Sequence, residues 1–508
     1  MRYSVPDISL KKLGTYESGL IDESAAEIVA YDAKTYRVFV TNANDKSVDV
    51  LSIRHPRHPA KLFSLDVASY GEPNSVAVSK GVVAVAVAPE EVGVKGKVVL
   101  FNRHGRFLNA LEVGSLPDMV TFSPDGKTLL VANEGEPNDD YTIDPEGSIS
   151  VITMSRRVRQ MGQNSVATAD FSAFTDVNLL DDSVRIFGPN ASIAQDVEPE
   201  YIAVSKDSST AYVALQENNG LAVVDIASAQ VTDIIGLGTK NYNTVQTAMD
   251  ASDKDDAINI KPWPVLGFYQ PDSIAAYEYD GDTYIVMANE GDARDYDGFS
   301  EEDRVDDLTL DSSILDTYPN IQNDDQLGRL KTTTVNGDLD GDVDQIYAYG
   351  GRSFSILNAT TGTVVYDSGS DFARITAATS AELFNGGDKR SDDKGAEPEA
   401  LTLGRIGGRT YAFIGLERTG GIMIYDITLP QSPQFIEYVN NTIVGGDVDE
   451  GTAGDVAPEG LYFISAKESP VRRPLLVVAN EVSGTTTVYA INTQKKGTRY
   501  SRFQYYLR

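Results

Sequence analysis

Carboxylates recur at regular places along this chain of 508 residues, in a pattern suited to holding a hard cation. Seven segments open on an acid or an amide, at Glu27, Asn74, Asp118, Glu200, Asp272, Glu399 and Glu459. Proline stands directly before six of these, as Pro73, Pro117, Pro199, Pro271, Pro398 and Pro458. A second carboxylate follows most openings after about 16 to 22 residues, a spacing typical of one structural repeat. These second acids are Glu90, Glu134, Glu217, Glu290, Glu417 and Glu481. Carboxylates crowded into one concave site raise one another's pKa unless a cation offsets the repulsion. All-oxygen donors select Ca²⁺ or Mg²⁺ over zinc or copper. Cysteine is absent, and the 3 histidines, His55, His58 and His104, lie within the first two units, so a thiolate or imidazole metal site is not expected. The simpler role for each acid is to cap its own unit by accepting backbone N–H groups.

A second acidic element is Asp338-Leu339-Asp340-Gly341-Asp342-Val343-Asp344. Aspartates at every second position around a glycine can wrap one Ca²⁺ as in EF-hand-like loops, although the distal bidentate glutamate of a full EF-hand is missing. A solvated hairpin tip is the competing reading. A third element pairs Asn289-Glu290-Gly291-Asp292-Ala293-Arg294 with Asn133-Glu134-Gly135-Glu136, both loops leaving second strands of their units. Arg294, Arg352, Arg390, Lys394 and Arg418 are expected to cluster near these acids, and metal with arginine is a phosphate-binding combination. Ordinary ion pairing among surface loops is the alternative. The catalytic candidates in a hydrolytic reading are therefore Glu290, Glu417, Arg294 and Arg418. No Gly-x-Ser-x-Gly elbow, dinucleotide fingerprint or P-loop occurs, and no organic cofactor is expected.

The elements that must position these acids follow from the repeat. Residues 119–122 alternate β-formers, Pro124-Asp125-Gly126 supplies a turn, 129–132 is a buried-strand run and 148–152 is the next strand. Four short antiparallel strands per unit define an all-β fold, a single β-propeller, and seven openings predict seven blades, with eight as the alternative count. The first strand of a blade lines the centre and the second returns beside it, so opening and second acids should meet at one mouth. The candidate metal ligands are thus Asp118, Glu134, Glu200, Glu217, Asp272, Glu290, Glu399, Glu417, Glu459 and Glu481, with Asp338, Asp340, Asp342 and Asp344 at the separate loop. Residues 1–491 are assigned to the propeller, with an insertion at 292–343 in the fifth blade and a long loop at 374–397. Residues 346–349, 354–357 and 364–367 read as the outer part of that blade. Residues 8–17 are predicted to supply the missing strand of the last blade, which leaves no open edge. Residues 492–508 form a basic, aromatic tail outside the repeat, with self-assembly as a use for it.

Net charge is −32, which opposes binding to nucleic acid or anionic membranes. No apolar stretch is long enough to span a bilayer. The numbering contains no signal-peptide core, so a cytoplasmic chain or a removed leader are both open from the residues alone.

Residues 123–133 resemble the repeat of YVTN-type bacterial propellers. Residues 251–260, 288–299, 350–355, 390–399, 413–426 and 478–488 resemble the choice-of-anchor I family, and the likeness runs over most of the chain. That resemblance implies an exported protein, extracellular or at the cell surface with the periplasm as an alternative. Members are often joined to variable anchors, and animal relatives are called mesenchyme-specific cell-surface glycoproteins. Many members carry an alkaline-phosphatase or phytase-like label, without an agreed catalytic residue set to transfer. No sorting signal or terminal apolar helix follows residue 491, so release or retention by a partner is expected rather than anchoring. The resulting expectation is a Ca²⁺-binding propeller, Mg²⁺ being the other candidate, that recognises an extracellular ligand or cell-surface component. The alternative is a metal-dependent phosphomonoesterase acting on a phosphate ester.

Overall fold

The computed structural model describes residues 8–493. Among these, seven four-stranded antiparallel sheets account for most of the strands. Their first strands are Val29–Asp32, Glu72–Ser79, Pro117–Phe122, Pro199–Val204, Ile274–Tyr279, Pro398–Ile406 and Pro458–Ile464. Each of these touches the first strand of the next sheet, and Pro458–Ile464 touches Val29–Asp32, so the order closes into a ring.

Strand periodicity explains the ring. Second strands are continuous apolar runs, such as Val82–Ala88 and Leu475–Asn480, because both of their faces are covered. Successive side chains point to opposite faces, so one strand packs on both neighbours. In the third sheet, Leu129 and Val131 join Ala86 and Val98 of the second, while Leu130 and Ala132 join Val213 and Leu215 of the fourth. The same alternation links Val48 to Val85, Ala214 to Ile285, Val286 to Ile414, and Phe413 to Leu476. The last core joins Leu475 and Val477 to Val38 and Val40, seventh sheet to first. A propeller is therefore built from cores that lie between blades, not within them.

The seventh sheet is completed as expected, by Ile8–Glu17 pairing antiparallel with Thr485–Thr493. Lys12 Nζ adds an ion pair at 3.0 Å to Asp455, which also accepts from Asn441 Nδ2 at 2.9 Å and Thr487 Oγ1 at 3.0 Å. Of the basic tail, Asn492 and Thr493 continue the strand, and 494–508 lie outside the described residues.

The insertion differs from the expectation. Ser353–Asn358 and Thr363–Asp367 are the outer strands of the fifth sheet, as read from the sequence. Ile346–Ala348 is not part of it: this strand runs parallel to Val265–Phe268, which pairs with Thr239–Asn241. Tyr242, Met249, Trp263, Leu310, Leu327 and Ile346 share a core of their own. The insertion thus shares its core with the linker before the fifth sheet, since a segment as short as residues 292–343 buries too little surface by itself. The segment expected as a long loop begins inside a helix, Asp371–Thr379.

Candidate metal centre at the ring's mouth

Each acid is aimed by a repeated piece of backbone chemistry. Proline fixes φ at the start of the first strand and removes one ladder donor. The register then slips just after it, between Pro117 and Val120, Pro199 and Ile202, Pro398 and Leu401, and Pro458 and Gly460. Such a bulge re-aims the extra residue, and here that residue is the opening acid or its neighbour. The residue before proline is left-handed in four units, with φ of 45° at Leu116, 43° at Gln270, 51° at Glu397 and 58° at Ala457. Strain of this kind, about 1–3 kcal/mol per residue, persists only where the surroundings over-determine it. Its carbonyl is pinned by the end of the second strand: Glu134 N donates to Leu116 O at 2.9 Å, Glu417 N to Glu397 O at 2.8 Å, and Glu481 N to Ala457 O at 2.8 Å. The opening and second acids of a unit therefore share one hydrogen-bonded corner.

The asparagine preceding the second acid locks that corner. Asn133 Nδ2 donates to Ser148 O at 3.1 Å and Ser150 Oγ at 3.0 Å, while its Oδ1 accepts from Gly114 N at 2.9 Å. Asn289 bonds Ser355 Oγ at 3.0 Å, and Asn480 bonds Thr485 Oγ1 at 3.0 Å. All three are buried.

The ten mouth acids predicted from sequence do converge. Burial first, then Glu136, pushes Asp118 up to about 7. Burial and then Asp292 raise Glu217 to about 7, and burial and then Glu290 raise Glu417 to about 8. Glu134, Glu200, Asp272, Glu399 and Glu459 all sit well above the usual carboxylate range, from burial and then from neighbouring acids, in that order Glu136, Glu217, Glu290, Glu417 and Glu27 first. Glu290 is raised as well, by burial, with Lys394 opposing. The repulsion reaches across the axis, since Glu27 feels Asp118 and Glu459 feels Asp272. In three of them capping leaves an oxygen unanswered: Glu217 Oε2, Glu399 Oε2 and Glu459 Oε2 are enclosed without a hydrogen-bond partner.

Two triads have carboxylate oxygens within 4.8 Å of one another, Glu27–Glu459–Glu481 and Glu290–Glu397–Glu417. They differ in compensation. Glu290 meets Lys394 Nζ at 3.2 Å, Glu397 meets Arg390 Nε at 2.6 Å and Arg418 Nε at 3.3 Å, and Glu417 meets Arg418 Nη2 at 3.0 Å. Three acids there face three cations. In the other triad, Ser24 Oγ donates to Glu481 Oε1 at 3.1 Å, and no described residue forms an ion pair with any member. That triad joins the seventh sheet to the segment entering the first.

Several expected groups are placed elsewhere. Arg294 does lie beside mouth acids, as expected, but it is 1 % exposed and held by Asp196 and by Glu198 at 3.0 Å, its guanidinium 4.6 Å from the Phe187 ring centre. Arg352 donates to the carbonyls of Asp250 at 2.7 Å and Ser391 at 3.1 Å, bracing the loop that carries Arg390 and Lys394. Glu90 is exposed and pairs with Lys46, and the second sheet contributes Glu72, before its proline, to the field around Glu27. Asp340, Asp342 and Asp344 do gather within 4.8 Å, but Asp338 caps its own turn, accepting from Gly341 N at 2.7 Å. Leu339 is exposed beside them.

Glu198, Glu397 and Glu136 belong to the mouth and do not follow from the Pro-acid spacing. The signal for the first two is present as acid-Pro-acid, in Glu198-Pro199-Glu200 and Glu397-Pro398-Glu399. Chemically, the whole arrangement is a rigid set of oxygen donors with surplus negative charge, which suits a hard divalent cation.

The choice-of-anchor I domain matches residues 27–430. Gigasin-3a of Magallana gigas is 35 % identical over 191 residues, 34 % of this chain and 67 % of that protein. Mesenchyme-specific cell surface glycoprotein of Strongylocentrotus purpuratus is 27 % identical over 286 residues, 47 % of this chain and only 36 % of that longer protein. The WD40 domain of Toxoplasma gondii coronin is 9 % identical with a TM-score of 0.49, over 97 % of this chain and 88 % of that one.

Proposed function

The chain belongs to the choice-of-anchor I family, and from that premise and the geometry of the mouth we propose a surface-associated or extracellular propeller that binds hard divalent cations, Ca²⁺ first. Through those cations it recognises an extracellular ligand. The observation that carries this reading is the Glu27–Glu459–Glu481 triad, whose oxygens are close enough to share an ion and with which no described residue forms an ion pair. Burial raises Glu27 and Glu459, and a cation between them would relieve the repulsion that acidic neighbours add. The name of the sea-urchin relative supports the placement at a cell surface.

Calcium titration of the full chain by calorimetry tests the proposal, with Glu459→Gln as the control. Saturation at about 100 times Kd adds about 2.7 kcal/mol of stability per ion. Melting curves that coincide with and without chelator, and no heat of binding, overturn it.

A second reading, hydrolysis of phosphate monoesters, is favoured by Lys394 and Arg418 standing at the Glu290–Glu397–Glu417 triad. Cations beside a metal site can receive phosphate oxygens. Turnover of a chromogenic phosphate ester in Ca²⁺ or Mg²⁺, lost in Glu290→Gln and Glu417→Gln, is the expected result; turnover no faster than buffer eliminates it.

A further inference from the structure

The interface between the second and third sheets changes character toward the mouth. Further from the mouth it is apolar, with Leu111 and Val113 packed among Leu129, Val131 and Ile152. Along Ser148–Thr153, Ile149 and Val151 turn to the fourth sheet, so Ser148 and Ser150 share the other face with Ile152. Serine thus stands where an apolar side chain would continue the core. A cleft of about 360 Å³ opens there, lined also by Ser115 and by Thr168, which pairs opposite Ser150. It lies at the end of the ring that carries the acids, since Ser148 pairs with Asn133, the residue before Glu134.

Ser115, Ser148 and Ser150 are 8 %, 7 % and 1 % exposed. Asn133 Nδ2 donates to Ser148 Oγ at 3.2 Å and to Ser150 Oγ at 3.0 Å. Each of these two oxygens is already an acceptor, and its own proton, which no described residue accepts, is left for a ligand. Gln163 closes the outer side: its Oε1 accepts from Glu112 N at 3.1 Å and its Nε2 donates to Glu112 O at 2.7 Å. The Glu112 carboxylate faces Lys95 Nζ at 3.6 Å, while Glu146, also on the wall, forms no ion pair with a described residue.

We propose that this cleft binds a neutral sugar residue. Its volume lies within the range of small-molecule sites. Donor hydroxyls on the floor need acceptors, the wall carboxylates need donors, and the hydroxyls of a polyol are both at once. An ammonium or guanidinium group offers the floor no acceptor. An anion meets Glu146 and a net charge of −32. No aromatic ring among the described residues lines the cleft to stack a flat ligand. The proposal does not depend on cations at the mouth.

Saturation-transfer NMR on the full chain in chelator tests it, with the methyl glycosides of glucose, galactose, mannose and N-acetylglucosamine as probes. At least one is expected to bind, and Thr168→Val and Glu146→Gln should each weaken it about tenfold, the loss of one hydrogen bond to the ligand. Both residues are exposed, so the melting temperature should hold in both variants. Glu459→Gln should leave the sugar bound, which separates this cleft from the cation triad. Transfer to none of the four probes overturns the proposal, and so does binding that neither variant weakens. Capture of arginine methyl ester in place of the sugars also overturns it, and marks the cleft as a seat for a basic side chain.

Discussion

The backbone amide of Glu417 donates to the carbonyl of Glu397 at 2.8 Å, and the carboxylates of both residues share a triad with Glu290. One main-chain hydrogen bond therefore joins the end of a second strand to the corner before Pro398 and sets two acids side by side. The same bond recurs from Glu134 to Leu116 and from Glu481 to Ala457. Because the corner is fixed by backbone, the carboxylates cannot move apart to relieve their repulsion. Their repulsion is relieved by protonation or by a cation, either a side chain or an ion.

This contrast predicts opposite signs for two similar substitutions. Glu397 is fully buried and holds Arg390 and Arg418, so Glu397→Gln leaves two guanidinium groups poorly paired. Both arginines keep some solvent, and the loss should be about 2 kcal/mol rather than the larger value for fully buried pairs. Glu459→Gln removes an uncompensated charge and should raise cation-free stability by about 1 kcal/mol at alkaline pH. Denaturant melts in chelator measure both.

Stability should also depend on pH with a defined sign. Glu27 and Glu417 titrate at about 8 in the folded chain, above the ordinary 4.5, from burial first and acidic neighbours next. A raised folded pKa means that the folded state holds its proton more tightly than the unfolded state. Its contribution is complete below about 4.5 and is lost as pH rises through about 8. In chelator, the melting temperature should fall across that window. Excess Ca²⁺ should flatten the fall, since the ion replaces the proton.

Asn133→Ala should be costly although it is not an acid. The substitution strands Gly114 N–H and Ser150 Oγ in a buried place and frees the corner that aims Glu134. A loss of about 2 kcal/mol is expected, measured by denaturant melts. Asp342→Asn, on the exposed loop, should change the melting temperature little.

Removal of residues 1–17 should open the ring. Thr485–Thr493 then becomes an unpaired edge at the seam between the last and first sheets. Unpaired edges recruit other strands, so the expected outcome is concentration-dependent association by light scattering, with a loss of stability larger than a single exposed strand would give.

The alternating apolar runs and the Pro-acid openings determined the strands, their grouping in fours and the return of both acids of a unit to one end. Those are local matters of period and turn chemistry. Even the completion of the last sheet by residues 8–17 was legible, because a strand pattern without a unit of its own had one open edge to join. Compensation was not legible. Which of the mouth acids Arg294 pairs with, and whether Lys394 reaches Glu290, depends on how a long insertion packs against the ring. So does the placement of residues 346–348 with residues 265–268 rather than in the fifth sheet. Charge pairing is set by distance in space, and only the folded ring brings residues from different sheets close enough to decide which acids are matched and which remain for an ion.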